Sequence, residues 1–179
     1  MTDKSTVEGG SRVTNPTVRW TESLAGTLRQ FSESPHSEWE VVRLGDVLEL
    51  KYGDNLPSDR REDGNVPVYG SNGQVGTHSE PLIQDAGVIL GRKGSIGKIE
   101  FSSGPFWPID TTYYTTTQET SLNLQYLQNL LRGLQLESLN AASAVPGLNR
   151  NDAYNLQVLV PPLPEQRKIA SVLTTVDEA

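Results

Sequence analysis

Cysteine is absent from this 179-residue sequence, and histidine occurs only at His36 and His78. The lack of thiols excludes disulfides and thiolate metal sites, and it fits a reducing compartment such as the cytoplasm. The two isolated histidines are too few to form a zinc site. No hydrophobic run is long enough to span a bilayer, and the polar first residues do not resemble a secretory signal. We therefore expect a cytoplasmic protein that uses no metal or cofactor and has no membrane partner.

Positive charge is also scarce, since 15 lysines and arginines stand against 22 acidic residues and the net charge is −7. This balance argues against a protein that binds nucleic acid through its whole surface. It does not exclude a specific DNA reader, because phosphate contacts come from a local patch. Between Asp85 and Glu100 the only charged residues are Arg92, Lys93 and Lys98. The sequence therefore contains one local basic patch.

Hydrophobic residues make up only 35% of the chain, which indicates that part of it is tail or loop. We assign residues 1–37 to an N-terminal tail, because glycine, proline and serine interrupt both of its ends. Within it, residues 20–31 have apolar side chains at a spacing that favours a short amphipathic helix, and a disordered segment fits equally well. One domain follows over residues 38–162, and residues 163–179 begin a further helix.

The basic patch lies within residues 87–101. Two apolar runs, residues 88–90 and 96–99, predict strands, and the glycines between them predict a tight turn with exposed backbone amides. Two adjacent cations and a hydroxyl at such a turn favour an anion, so we interpret it as a phosphate-gripping element. A plain hairpin with a solvated charged tip fits the local pattern as well.

The rest of the pattern predicts an α+β fold. Stretches rich in β-branched and aromatic residues indicate strands, and polar stretches with glycine and proline, such as residues 51–64, indicate surface loops. The predicted strands span residues 39–44, 66–69, 109–117 and 156–160. Leucines at helical spacing over residues 121–140, with Ser121 as cap, predict a covering helix. We expect a mixed, mostly antiparallel sheet with this covering helix and a C-terminal helix.

The C-terminal helix carries an apolar stripe on one face, and Pro164 suits its first turn. The stripe consists of Ile169, Val172, Leu173 and Val176. It continues to the end of the sequence without a stop signal. We interpret this helix as cut short or as packed against a partner.

Several short motifs occur in an order that resembles a known family. They are W-E at residues 39–40 with L-G-D at 44–46, V-Y-G-S-N-G at 68–73, G-R-K-G-S-I-G at 91–97, F-W-P-I-D-T-T at 106–112, G-L-N at 147–149 and P-P-L-P-E-Q-R-K-I-A at 161–170. The last motif is the most specific. From about Trp39 onward, the chain resembles one target-recognition domain of the DNA specificity subunit of type I restriction–modification enzymes.

The resemblance implies a non-catalytic subunit of a complex. In this family two recognition domains, held apart by long spacer helices, each read one half of a split double-stranded DNA target. The spacer helices dock the methyltransferase subunits, and methylation and restriction subunits supply the chemistry. Only one recognition domain is present here, and residues 163–179 match the start of a spacer helix. We therefore expect a fragment, or a half-subunit that pairs with a second copy of itself.

The resemblance also assigns the DNA contacts to loops that the family uses for recognition. Arg92 and Lys93 are expected to hold the DNA backbone, with Ser95 and Lys98 adding to the grip. The residues expected to approach base edges or adjacent phosphates are Tyr69, Ser71, Asn72, Asn149 and Arg150. The apolar stripe of the C-terminal helix is expected to bind the methyltransferase subunit and, through it, the restriction subunit.

Two other functions stay open. One is an enzyme, but Asp46, Asp85 and Asp110 are scattered through unrelated elements, and we find no nucleophile elbow, phosphate loop or S-adenosylmethionine-type glycine motif. The other is a protein-binding scaffold or decoy that docks on the methyltransferase subunit without reading DNA. The negative net charge and the C-terminal helix favour this second alternative.

Overall fold

The computed structural model describes residues 38–140 and 147–177. The predicted tail over residues 1–37, with its possible helix over residues 20–31, lies outside the described residues. Residues 141–146 lie outside them as well, and so do the side chains after Thr174.

The described residues form nine strands, four α-helices and two 3₁₀ turns. The strands are β1 (Glu40–Arg43), β2 (Lys51–Tyr52), β3 (Val66–Gly70), β4 (Gly73–His78), β5 (Gly87–Gly91), β6 (Ile99–Ser102), β7 (Trp107–Pro108), β8 (Thr112–Thr116) and β9 (Gln157–Val160). The helices are α1 (Leu44–Val47), α2 (Leu124–Gly133), α3 (Arg150–Tyr154) and α4 (Leu163–Asp177), and the 3₁₀ turns are Ser58–Arg60 and Leu136–Asn140.

The strands are distributed over three sheets. One sheet has the order β2-β8-β5-β6, the second β4-β3-β7, and the third consists of β1 and β9. All strand pairs among the described residues are antiparallel except β3 with β7. The predicted α+β class with mostly antiparallel pairing is confirmed, although the single predicted sheet is divided into three.

Strand β5 lies at the centre of the largest sheet, between β8 and β6. Every residue of Gly87–Gly91 is buried, as the apolar run in the sequence predicts for a strand covered on both faces. The second predicted run begins too early, because β6 starts only at Ile99. Ile96 belongs to the turn instead, where its N–H donates to the Gly94 carbonyl at 2.9 Å.

The covering helix α2 is shorter than the sequence predicts. Its N-cap is Asn123, whose side chain accepts a hydrogen bond from the Tyr126 N–H at 3.0 Å, and Ser121 precedes the cap. The helix ends at Gly133, and the positive φ of Gln135 turns the chain away from the helical path before the second 3₁₀ turn. The leucines still face the core, since Leu124, Leu127, Leu130 and Leu131 are buried.

The segment over residues 51–64 is less irregular than predicted. Lys51 and Tyr52 form β2 and pair with β8, so the interpretation as a surface loop is wrong at its start. The Arg61 guanidinium holds the following loop in place. It donates to the Val75 carbonyl at 2.7 Å and to the Leu56 carbonyl at 3.3 and 3.4 Å.

The P-P-L-P-E-Q motif connects distant parts of the domain through two side chains. Gln166 is 3% exposed, accepts a hydrogen bond from the Asn123 N–H at 2.8 Å and donates to the Pro161 carbonyl at 2.9 Å. Glu165 accepts a hydrogen bond from the Trp39 indole at 2.6 Å. The motif therefore joins the start of α2, the end of β9 and the residue before β1 to helix α4.

We predict that Gln166→Leu destabilises the domain. Leucine has a similar size but leaves the Asn123 N–H and the Pro161 carbonyl without partners, so the free energy of unfolding should fall by about 2–4 kcal/mol. Urea unfolding measures this change. Gln125→Leu, an exposed position on α2, is the matched control and should change the free energy by less than about 0.5 kcal/mol. Equal effects of the two substitutions would contradict the structural role of Gln166.

Candidate nucleic-acid interface

The turn between β5 and β6 is held by hydrogen bonds from two other segments. The backbone N–H groups of Arg92 and Lys93 both donate to the Thr111 carbonyl, at 2.9 and 3.1 Å. The Arg92 carbonyl in turn accepts a hydrogen bond from the Leu148 N–H at 2.8 Å. The two cationic side chains therefore project from a fixed backbone.

The same hydrogen bonds change how this turn can hold an anion. The amides of Arg92, Lys93, Ile96 and Gly97 donate to carbonyls of the protein. These four amides are therefore not free for a ligand, contrary to the expectation of exposed amides in this turn. Any grip on a phosphate rests mainly on the side chains.

A cleft of about 430 Å³ lies beside this turn. It is bounded by the end of β2, the start of the turn, strand β8 and the segment that leads into α3. Its lining residues are Tyr52, Arg92, Lys93, Tyr113, Gly147, Leu148, Asn149, Arg150 and Asn151. Four of the residues predicted to bind DNA thus line one cleft, although two of them lie more than fifty positions from the others in the sequence.

The half-exposed ring of Tyr52 is the centre of the cleft's charged part. The guanidinium carbons of Arg92 and Arg150 lie 5.0 and 5.2 Å from the centroid of this ring. Arg92 also lies 5.7 Å from the centroid of Tyr113, and Arg150 lies 5.8 Å from that of Tyr154. Attraction to the ring faces offsets part of the repulsion between the two like charges.

The positive charge of the cleft is poorly compensated. Among the described residues, neither Arg92 nor Arg150 has a carboxylate within ion-pair distance. Lys93 has one, but its Nζ lies 4.0 Å from Asp110 Oδ2 and both side chains are about half exposed, so the attraction is weak. The buried Arg92 Nε has no hydrogen-bond partner in the described part of the chain. The arrangement suits an anionic ligand.

Helix α3 holds Arg150 and Asn149 in place. The Asn149 side chain accepts a hydrogen bond from the Asn151 N–H at 2.9 Å and so caps the helix. Arg150 donates to the Leu50 carbonyl at 3.1 Å, and the Leu50 N–H donates to the Tyr154 hydroxyl at 2.7 Å. The helix is thereby tied to the chain just before β2.

Tyr113 connects the aromatic part of the cleft to the backbone. Its buried hydroxyl donates to the Leu148 carbonyl at 3.1 Å. Burial raises the pKa of Tyr113, and the hydrogen bond and charge of Tyr52 raise it further. The nearby Arg92 guanidinium opposes this rise, because a positive charge stabilises the phenolate.

The other five predicted DNA contacts do not line the cleft. Lys98 Nζ donates to the Asn72 carbonyl at 2.7 Å and lies 3.3 Å from Glu100 Oε1, so it links the β3–β4 turn to β6. The Ser71 carbonyl lies so close to Gly91 that a side chain there would meet it at 2.7 Å. Ser95 is exposed, and the Tyr69 ring packs edge-on against Phe106 with centroids 6.1 Å apart. The β3–β4 turn therefore adjoins the β5–β6 turn without entering the cleft.

Tyr52, Tyr113 and Asn151 line the cleft but are not among the site residues predicted from the sequence. Tyr52 lies within a polar stretch interpreted as a loop, and an isolated aromatic residue in such a stretch is the signal that could have found it. Tyr113 belongs to a predicted strand that is rich in Thr and Tyr. Nothing in the sequence shows which of these side chains faces a ligand. Asn151 can be assigned to the site only when the position of α3 is known.

The predicted partner-binding stripe of α4 divides between two environments. Val172 is 63% exposed and Leu173 is 39% exposed, whereas Ile169 is half-buried. The side chain of Val176 lies outside the described residues. On the inner face, Gln166 and Ala170 are buried. Among the described side chains of the stripe, Val172 and Leu173 are therefore the exposed ones.

Two further features concern residues 38–140 and 147–177. No group of three or more His, Cys, Asp or Glu side chains there could hold a metal ion. No helix in the same ranges combines the length and the apolar character needed to cross a membrane.

We predict that Arg92→Leu raises the pKa of Tyr113 further, because it removes the positive charge that stabilises the phenolate. The measurement is the pH dependence of the ring-carbon NMR signals in a protein with labelled tyrosines. Tyr114, on the same strand, is the internal control, since Arg92 is not among the groups that shift its pKa. An unchanged or lower pKa of Tyr113 would contradict the electrostatic coupling.

Comparisons with known proteins address the family. Residues 36–179 match the family model described as type I restriction modification DNA specificity domain. Among curated proteins, the EcoprrI specificity subunit of Escherichia coli is 24% identical over 156 residues, which cover 84% of this chain and 38% of that protein. The EcoDI specificity subunit of Escherichia coli is 25% identical over 140 residues, covering 77% of this chain and 31% of that protein. The chain thus matches less than half the length of these relatives.

Solved structures share the fold. The type I restriction-modification S subunit from M. genitalium matches with a TM-score of 0.73 and 20% identity, over 91% of this chain and 48% of that one. The HsdS subunit from Thermoanaerobacter tengcongensis matches with a TM-score of 0.59 and 18% identity, over 91% of this chain and 44% of that one. The family match covers most of the chain, and the resemblance found in the sequence is confirmed. The chain belongs to the family of type I restriction modification DNA specificity domains.

Proposed function

We propose that this chain reads one half of a bipartite DNA target for a type I restriction–modification system. The observation that carries the proposal is the cleft in which Arg92 and Arg150 converge on Tyr52, with no carboxylate of the described residues within ion-pair distance of either guanidinium. Lys93 adds a third cation on the rim. Three clustered cations supply a local phosphate-binding patch on a chain whose net charge is −7.

The predicted residues take different roles within this proposal. Arg92 and Lys93 hold phosphates, and Arg150 and Asn149 lie within reach of the same DNA segment. Tyr69, Ser71 and Asn72 belong to the neighbouring β3–β4 strand and turn, where they serve an adjacent stretch of DNA. Ser95 lies exposed at the tip, and Lys98 supports the Asn72 backbone. In this proposal the β3–β4 turn and the β5–β6 turn contact the same DNA molecule side by side.

The chemistry in this proposal belongs to other subunits. The chain is non-catalytic, acts in the cytoplasm and selects the DNA that the methyltransferase subunit modifies. Helix α4 docks that subunit through Val172 and Leu173, with Ile169 and Val176 completing the stripe, and the restriction subunit joins through it. A second copy of the chain reads the other half of the target.

We predict that the double variant Arg92→Ala/Lys93→Ala weakens DNA binding to all sequences alike. Each lost phosphate contact should reduce the slope of log affinity against log salt concentration by about one, so the double variant should lose about two. Fluorescence anisotropy with a labelled duplex, measured across a salt series, determines the slope.

Arg60→Ala/Lys168→Ala is the matched control, because it removes the same charge from two exposed cations that do not line the cleft. It should leave the slope nearly unchanged. Equal slopes for the wild-type chain and the Arg92→Ala/Lys93→Ala variant would contradict the proposal that these two residues of the cleft bind phosphates.

A second candidate function is a scaffold or decoy that docks on the methyltransferase subunit without reading DNA. The exposure of Val172 and Leu173 favours it, because adjacent uncovered apolar side chains on a helix offer a surface that a protein partner can bury. In this case a random pool of duplexes, offered to the chain in complex with the methyltransferase subunit, yields no enriched motif.

We predict that Val172→Lys/Leu173→Lys abolishes capture of the methyltransferase subunit and leaves the DNA affinity of the free chain within about two-fold, since both side chains point to solvent. Co-purification and anisotropy measure the two effects. Val41→Lys, which alters a valine that is 62% exposed on β1, is the control and should keep the partner. Unimpaired capture by the double variant would exclude this face as the docking surface.

A further inference from the structure

We propose that Asn151 is the specificity-determining residue of the cleft and that it reads an adenine. This inference rests on the proposed DNA-reading function. The polar side chains that line the cleft differ in whether they keep a free hydrogen-bond donor and a free acceptor. Base reading in the major groove requires that combination for adenine, whose N6 donates and whose N7 accepts.

Asn149, the amide predicted from the sequence to approach bases, is already committed. Its Oδ1 accepts a hydrogen bond from the Asn151 N–H at 2.9 Å and caps α3. The preceding residue, Leu148, is fixed as well, since its N–H and its carbonyl bond to Arg92 and Tyr113. A side chain whose oxygen and orientation are set by a cap is poorly placed to pair with adenine through both amide groups. Asn149 is therefore a positioning residue.

Asn151 has the properties that Asn149 lacks. It lines the same cleft, it is exposed, and its backbone is fixed by the cap. Its side-chain amide makes no hydrogen bond with any other described residue. Both the amide oxygen and the amide nitrogen are available, on a backbone that needs no reorganisation to present them.

Three other side chains of the cleft are held by contacts within the protein. One nitrogen of Arg150 donates to the Leu50 carbonyl, and its guanidinium lies over two rings. The Tyr113 hydroxyl donates to the Leu148 carbonyl. Arg92 lies over Tyr52 and Tyr113. These cations suit phosphates beside the base, which leaves the neutral amide of Asn151 to contact the base edge.

The test is selection and sequencing of duplexes bound by the full chain, in complex with the methyltransferase subunit, for the wild type and three variants. Asn151→Ala should flatten an adenine preference at one position by about ten-fold or more and leave the salt slope unchanged. Asn151→Asp keeps an acceptor but loses the donor, so the preference at that position should shift toward cytosine, whose N4 donates. Asn129→Ala is the control, because it removes a side-chain amide that lies on α2 and does not line the cleft. This variant should keep the wild-type motif.

The outcomes separate this inference from the proposed function. A motif in the wild type that loses its adenine in Asn151→Ala and gains cytosine in Asn151→Asp supports the role of Asn151. A wild-type motif that both Asn151 variants retain at every position overturns this role and leaves the proposed function in place. No motif in the wild type overturns both. Thermal unfolding of each variant shows that a lost preference does not come from a lost fold.

Discussion

The burial of strand β5 is the constraint on which the position of the cationic residues depends. Its residues Gly87–Gly91 lie between β8 and β6 and are covered on both faces, so the strand has little freedom to shift or twist. Arg92 follows directly. The Thr111 carbonyl, which accepts from two successive amides, then fixes the direction in which the chain leaves the sheet. This fixed backbone keeps the Arg92 guanidinium near the rings of Tyr52 and Tyr113.

Local and overall charge have opposite signs in this chain. Mobile ions screen exposed charges over about 8 Å at physiological ionic strength, so distant carboxylates contribute little to the potential inside the cleft. Three cations within one cleft dominate there, even though the net charge is −7. The acidic remainder limits unspecific binding to nucleic acid, because the negative net charge repels a polyanion on average.

The sequence predicts the features that arise from local pattern, and it misses those that arise from distant pairing. Apolar runs correctly predicted strands β5 and β9. The charge pattern indicated Arg92 and Lys93 as part of a basic patch. The two-residue strand β2 is too short to show periodicity, and it forms only because β8, about sixty positions later, pairs with it. Tyr52 was therefore assigned to a loop, and only its aromatic ring within a polar stretch could have marked it as a site residue. The cap of α2 was misplaced by two positions because Ser121 and Asn123 are equally good caps by residue type.

The polypeptide chain enters and leaves the domain at neighbouring points. Strand β1 pairs with β9, and the Trp39 indole, just before β1, bonds to Glu165 in the first turn of α4. A unit with adjacent entry and exit can be inserted into a host chain at a single point without stretching it. Genetic exchange between these two points would replace the whole unit as a cassette.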